Sequence, residues 1–375
     1  MRQIAVVIGM LGVAFASSHD ALAAPIVVGE VAPLSGFDAN QGRAYAAGLQ
    51  LAFNAANRAG SANGHTFRLV TRDDEGRPEK TLAATKALLA EDKPMLLAGF
   101  LGNRNVADLL ASGLLQQEKI ALVGYRTKQV RIEAPLLYNV RASLADELQK
   151  VCEHLSIIGI TRMGLFYEDG PGADALVKAA DEISAKARVN LVLKASYPAG
   201  TARVSTAVAS FLKEQPQAIM MVATGGAAAG FIEQYRSAGG TAQLFADSGA
   251  DLEQLAKRLS EEQMQGVAIA QVTPNPYRIS SRLVKEFTDL ANAKDSNLEV
   301  PISYAMMEGF IAGKVIVEAV RRQGAKPTRE GMAVALDSMQ AQDLGGYLVG
   351  FRPNMHNGSR FVELSIVNSA GRIQQ

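Results

Sequence analysis

The sequence predicts an α/β protein with two lobes, each built on a mainly parallel sheet that helices cover. Short apolar runs alternate with amphipathic runs of helical length, which is typical of βαβ units. The alternation completes one series and then restarts near residue 145. With 375 residues, the chain is also longer than one hydrophobic core usually serves. These three observations favour two lobes over one continuous sheet.

The first series alternates regularly from its first strand onward. Tyr45, Leu49, Phe53 and Ala56 recur at helical spacing within its first helix. Because helices of this length connect parallel strands, we expect a parallel sheet with both faces covered. The predicted strands are 26–31, 67–71, 95–98 and 120–123, and the predicted helices are 40–58, 79–89 and 106–115.

The second series repeats the pattern and is followed by three helices and a β-rich tail. No low-complexity linker separates the two series, so we expect the connections between the lobes to act as hinges. The predicted helices of the second series are 145–155, 173–187, 201–213 and 227–238, and its strands are 163–167, 191–195, 218–222, 243–246 and 266–271. The later helices are predicted at 280–293, 304–322 and 328–338, and β structure at 347–351 and 361–368.

The N-terminus has the pattern of an export signal. A short basic start is followed by an apolar run from Ile4 to Ala16, which is too short to span a bilayer. The small residues Ala21 and Ala23 predict cleavage after Ala23. We therefore expect a periplasmic protein whose mature chain begins at Ala24.

Composition and motifs argue against nucleic-acid binding and catalysis. Lys and Arg number 38 against 37 acidic residues, with no basic run, so we expect no nucleic-acid partner. The histidines are scattered singly and no nucleophile motif is present, so we expect neither an enzyme nor a cofactor or metal. The consecutive acidic residues Asp73, Asp74 and Glu75 are interpreted as a solvated loop rather than a cation site.

Several blocks, in order along the chain, carry a resemblance to a known family. They are residues 28–36 (VGEVAPLSG), 73–78 (DDEGRP), 96–99 (LLAG), 138–143 (YNVRAS), 271–274 (QVTP) and 361–364 (FVEL). Together they resemble the periplasmic solute-binding proteins of branched-chain amino acid ABC transporters, the leucine/isoleucine/valine-binding family with the type I periplasmic binding fold. The resemblance spans essentially the whole mature chain.

The resemblance implies two flavodoxin-like lobes joined by three hinge crossovers, near Ala142, Pro274 and Val349, with ligand bound between them. It places residues 24–142 with 275–348 in lobe 1, and 143–274 with 349–375 in lobe 2. It further implies a monomer that delivers a small amino acid or organic acid to an inner-membrane permease. The alternative is a periplasmic ligand sensor that acts on a membrane receptor.

The resemblance also points to ligand-binding residues in the first lobe. In the family, hydroxyl side chains after the third and fourth strands hold the ligand carboxylate. Asn103 stands at the first of these positions, and the segment containing Tyr125, Arg126 and Thr127 stands at the second. Thr127 then keeps the hydroxyl role. Arg126 either adds a bidentate carboxylate clamp or points to solvent.

In the second lobe the sequence departs from the family pattern. Thr224 stands where the family has a tyrosine, and Ser248 stands where it has the acid that pairs with the ligand's ammonium. Asp247 lies next to Ser248 and is the alternative acid. Because an unpaired buried cation is costly, these changes suggest a carboxylate ligand without an α-amino group, such as an aromatic or aliphatic acid.

Overall fold

The structure of the protein is a computed structural model that describes residues 24–36, 38–60, 62–130, 132–367 and 373–374. The predicted signal sequence and its cleavage site after Ala23 lie outside the described residues. Two large sheets form the centres of two α/β lobes. Among the helices of the described residues, none has the length and hydrophobicity needed to cross a membrane.

The first lobe contains a five-stranded sheet formed by regular strand–helix alternation. Its elements are β1 (Ile26–Ala32), α1 (Ala39–Arg58), β2 (Phe67–Asp73), α2 (Pro78–Glu91), β3 (Leu96–Leu101), α3 (Asn103–Ala111), α4 (Leu114–Gln117), β4 (Leu122–Arg126) and β5 (Leu137–Tyr138). All strand pairs are parallel, in the order β2-β1-β3-β4-β5. The inner strands are almost completely buried, as expected for a parallel sheet covered on both faces.

One predicted helix of this lobe is divided in two. The run 106–115 was expected to be continuous, but α3 ends at Ala111 and α4 begins at Leu114. Gly113 between them has a φ of 68°, a left-handed conformation that glycine adopts without a steric penalty. The helix also begins earlier than predicted, at Asn103, directly after β3.

The second lobe forms from the restarted alternation. Its elements are α5 (Leu144–Ile157), β6 (Arg162–Glu168), α6 (Ala173–Lys186), β7 (Asn190–Tyr197), α7 (Ser205–Glu214), β8 (Ala218–Val222), α8 (Gly225–Ser237), β9 (Gln243–Ala246), α9 (Leu252–Arg258), α10 (Glu261–Met264) and β10 (Ala268–Gln271). The short helices α9 and α10 and the two-residue strand β5 have no counterpart among the predicted elements. They are too brief to show a clear hydrophobic period.

The chain then returns to the first lobe and finally to the second sheet. The remaining elements are α11 (Arg282–Ala291), α12 (Tyr304–Gln323), α13 (Arg329–Asp337), β11 (Gln342–Asp343), β12 (Leu348–Val349), β13 (Glu363–Val367) and β14 (Ile373–Gln374). The second sheet has the order β14-β13-β10-β9-β8-β6-β7. Its pairs are parallel except that β13 is antiparallel to both β10 and β14.

Each lobe has its own hydrophobic core. The cores of the first lobe include buried residues of α11 to α13 together with Val349 and Phe351, so the chain packs here again after β10. The long helices α1 and α12 cross so closely that a Cβ at Gly48 would overlap the Met306 carbonyl. A Cβ at Gly309 would likewise overlap the Tyr45 carbonyl. Two glycines therefore set the distance between these helices.

Candidate functional site

A cavity of about 300 Å³ lies between the two lobes, where strands of both sheets end. Strands β3 and β4 end on one side, and β6, β8 and β9 end on the other. Ligands of open α/β sheets characteristically bind at the carboxyl ends of the strands. We call this space the cleft. Its polar lining comprises Asp38, Gln41, Asn103, Arg104, Asn105, Arg126, Thr127, Lys128, Arg141, Glu168, Asp169, Thr224 and Asp247.

The structure brings five of the seven predicted site residues into the cleft lining. Tyr125 and Ser248 do not line it. Tyr125 is buried in the core of the first lobe, and Ser248 lies directly behind the cleft surface. The five residues that line the cleft are Asn103, Arg126, Thr127, Thr224 and Asp247.

Arg126 faces the protein's interior and the cleft rather than bulk solvent, with only 8% of the residue exposed. It is the last residue of β4, and Nη1 donates to Gln41 Oε1 at 2.9 Å. Its Nε lies 3.3 Å from Glu308 Oε2, and Nη2 donates to the Ser248 carbonyl at 3.4 Å. The guanidinium is thus charge-compensated from α12 and reaches across to the second lobe.

Lys128 forms an ion pair across the cleft with Asp247. Its Nζ lies 3.0 Å from Oδ2 and 3.3 Å from Oδ1. The two side chains are 12% and 4% exposed, so water screens the pair little. Lys128 also donates its backbone N–H to Asn103 Oδ1 at 2.7 Å. Asn103, at the start of α3, reaches Glu168 Oε2 of the second lobe at 3.4 Å through Nδ2.

Behind the cleft, a buried ionic network connects both lobes through Arg141. Its Nη2 donates to Glu147 Oε1 at 2.8 Å and to the Ser248 hydroxyl, and its Nη1 lies 3.5 Å from Glu308 Oε2. Ser248 in turn donates its N–H to Glu147 Oε2 at 2.7 Å. Burial raises the pKa of Glu147 to about 7, although Arg141 acts in the opposite direction.

Sequence reasoning missed several polar groups of the cleft. They include Asp38, Gln41, Lys128, Arg141 and Glu168. Lys128 and Arg141 lie in segments that the resemblance already singled out, and Glu168 ends β6. Strand ends could have suggested Glu168. Lys128 pairs with Asp247 only because one lobe closes on the other, and the hydrophobic pattern of the sequence does not predict how the lobes meet.

Two α/β lobes with a polar cleft between their strand ends define a binding protein for a small solute. The chain belongs to the periplasmic binding protein family, whose sequence profile matches residues 25–372. This confirms the resemblance to the leucine/isoleucine/valine-binding group and the type I periplasmic binding fold.

Individual relatives agree with this assignment. A substrate-binding periplasmic protein from Ralstonia solanacearum is 36% identical, with a TM-score of 0.87 over 93% of this chain and 99% of that one. The Leu/Ile/Val-binding protein homolog 8 from Brucella abortus (strain 2308) is 23% identical over 92% of this chain and 89% of the relative. A fatty acid ABC transporter substrate-binding protein from Thermomonospora curvata is 17% identical, with a TM-score of 0.81 over 94% and 91%. At this identity, the last likeness concerns the fold alone.

Proposed function

We propose that the protein is the periplasmic solute-binding component of an ABC importer and acts without catalysing a reaction. It takes a small amino acid or organic carboxylate, aromatic acids included, into the cleft and delivers it to an inner-membrane permease. The single observation that carries the proposal is the cleft itself, whose two walls come from different lobes and whose lining is rich in hydrogen-bonding groups. The permease is the partner that we infer from membership of the periplasmic binding protein family.

A ligand held between two lobes can control their closure. Its contacts with both walls exist only in the closed state, so binding shifts the population toward that state by its differential affinity. We propose lobe boundaries of 24–142 with 275–348 and 143–274 with 349–375. The packing of α11 to α13 on the first sheet and of β13 on the second supports this division, except that Val349 and Phe351 pack in the first core, so the last crossover lies after Phe351.

Arg126 is the group that we propose for the ligand carboxylate. Its guanidinium carries five N–H donors, and Gln41 and Ser248 accept from only two of its nitrogens. A charge-assisted bond to a ligand carboxylate would form in a site that excludes most water. Asn103, Thr127 and Thr224 supply neutral polar contacts around it.

Thermal unfolding tests the proposal directly. Mature protein stripped of bound solute is screened against amino acids, aromatic acids and aliphatic acids. A ligand at about 100 times its Kd adds about 2.7 kcal/mol of stability and raises Tm. We expect Arg126→Met to abolish the Tm rise that the best ligand gives. Arg162→Met is the matched control, because Arg162 pairs with Glu214 on the surface and should leave the rise intact.

A second experiment identifies the partner. Ligand-loaded protein carrying a photo-crosslinker is mixed with solubilised inner membranes, and the cross-linked protein is identified by mass spectrometry. Capture of an ABC permease supports the importer, whereas capture of a receptor kinase or chemoreceptor supports the sensor alternative.

The proposed signal cleavage has its own test. N-terminal sequencing of the exported protein should give a sequence that begins at Ala24.

A further inference from the structure

The Lys128 ammonium lies where a cationic group of a ligand would find its counter-ion in the cleft. It comes from the loop after β4 of the first lobe and contacts both carboxylate oxygens of Asp247 in the second lobe. Gly249 leaves space for it, because a Cβ at that residue would overlap Lys128 Nζ. Only 12% of the lysine side chain is exposed, so the ammonium lies mostly out of contact with bulk water.

Asp247 has no remaining capacity for a second cation. Its Oδ1 accepts from the Ala223 N–H at 3.1 Å, and its Oδ2 accepts from the Gly249 N–H at 3.0 Å. With the lysine contact on each oxygen, the four or so lone-pair positions of the carboxylate are used. A ligand ammonium at this point would have to displace Lys128 and leave it unpaired in a poorly solvated site, which is costly.

The other acidic groups of the cleft are less suited to an ammonium. Burial raises the pKa of Asp38, and Lys128 is the largest opposing influence, so the same lysine also compensates Asp38. Glu168 already accepts from the Gly200 N–H at 3.1 Å and from the Asn103 amide. Asp169 is exposed at the rim, where water solvates its charge.

We propose that Lys128 is a built-in cation that occupies the ammonium position of the cleft, so that the protein selects carboxylates without an α-amino group. The inference rests on the proposed function and narrows its ligand class. One N–H of the Lys128 ammonium remains for the ligand carboxylate after the two contacts with Asp247, and Arg126 offers further donors. An α-ammonium would instead meet a positive charge.

The test uses pairs of probes with the same carbon skeleton. These are leucine with 4-methylpentanoate, norleucine with hexanoate, and phenylalanine with 3-phenylpropanoate, measured by thermal shift and calorimetry at pH 7. We expect wild type to bind at least one carboxylate about tenfold or more tightly than its amino acid, a difference of about 1.4 kcal/mol. Lys128→Met should bind the amino acid more tightly and the carboxylate more weakly than wild type does, because Asp247 is then free to pair with the ligand ammonium.

Four further variants keep the result interpretable. Lys128→Arg retains the charge and should keep the wild-type preference, while Lys128→Met/Asp247→Asn should lose the gained amino acid binding. Asp247→Asn alone releases Lys128 and should tighten carboxylate binding. This variant therefore tests the inference even if Lys128→Met does not fold. Lys194→Met removes an exposed ion pair with Asp181, neither residue of which lines the cleft, and should change nothing.

The outcomes separate this inference from the proposed function. If wild type binds an amino acid as tightly as its deaminated partner, the inference is wrong and the importer proposal stands. The inference is equally wrong if a folded Lys128→Met binds carboxylates but gains no amino acid. If no probe binds wild type or any variant, the inference is wrong, and the importer proposal is decided by the broader ligand screen and the cross-linking to a permease.

Discussion

Two glutamates, one in each lobe, are equally buried but have opposite surroundings. Glu30 on β1 and Glu147 on α5 are 0% and 1% exposed. Glu147 is bound by Arg141 and by the N–H of Ser248, whereas neither carboxyl oxygen of Glu30 has a hydrogen-bond partner among the described residues. Burial raises the pKa of both, well above the usual range for Glu30 and to about 7 for Glu147.

The difference shows that burial alone does not give an acidic residue its role. Glu147 belongs to the ionic network that connects both lobes behind the cleft, so its charge has a structural use. Glu30 lies against Gly99 in the first lobe, no cation among the described residues contacts it, and its neutral form is favoured. The following changes test this contrast.

The largest effect is expected for Glu147→Met. The change leaves the buried Arg141 with the Ser248 hydroxyl and, as its remaining ionic contact, the longer one to Glu308. Removing one partner of a buried pair typically costs about 3–5 kcal/mol. Urea denaturation at pH 7 should show this loss. The double variant Arg141→Met/Glu147→Met should recover much of it, because no charge of that pair is left alone. A single variant as stable as wild type would contradict the assigned role.

A smaller effect, of opposite sign, is expected for Glu30→Gln. The folded state holds the Glu30 proton more tightly than the unfolded state, so wild-type stability falls as pH rises above the ordinary glutamate pKa of about 4.3. The slope from this one group is at most about 1.4 kcal/mol per pH unit. Denaturation midpoints between pH 5 and 7 should show that Glu30→Gln is less pH-dependent and more stable at pH 7 than wild type. An identical pH profile would show that Glu30 is ionised in the folded protein.

A still smaller change is expected for Tyr45→Phe. The Tyr45 hydroxyl is buried next to Gly124 and has no hydrogen-bond partner among the described residues. Removing an unpaired buried hydroxyl costs no hydrogen bond, so we expect a change within about 1 kcal/mol, toward greater stability. Thermal denaturation provides the measurement, and a loss above 2 kcal/mol would indicate an ordered water on that hydroxyl.

The smallest effect is expected for an exposed ion pair. Lys285 and Asp289 lie one turn apart on α11 and are 61% and 60% exposed. Asp289→Asn should lower stability by no more than about 0.5 kcal/mol, and added salt should remove the difference. This variant gives a baseline against which the loss from Glu147→Met can be judged.

The order of strands and helices was predictable from the sequence because it depends on local periodicity. The fold class and the restart of the alternation follow from patterns within the chain. The site role of Arg126, which ends the fourth strand, and of Thr127 after it was expected from the family resemblance. The break at Gly113 was missed because a single glycine does not interrupt the apolar period. In the structure, the helix ends there because Gly113 has a left-handed φ.

Partnerships between distant residues were not predictable. The sequence predicts a solvated loop for the acidic run at the end of β2, which is wrong for Asp74. That residue is 0% exposed and accepts hydrogen bonds from Thr81, Asn105 and the Gly76 N–H. A buried acid of this kind is recognisable only when the groups that donate to it are known. The same reason explains why Lys128 and Glu147 were overlooked.

The close crossing of α1 and α12 fixes more than the packing of two helices. Gln41 extends from the first of them and Glu308 from the second, and both hold Arg126. Gly48 and Gly309 lie outside the cleft, but by setting the distance between the two helices they also determine where the Arg126 guanidinium is held. A fluorescent reporter built on this protein should therefore keep both glycines and carry its dyes elsewhere, because a single methyl group at either one would push the two helices apart and move the side chains that hold Arg126.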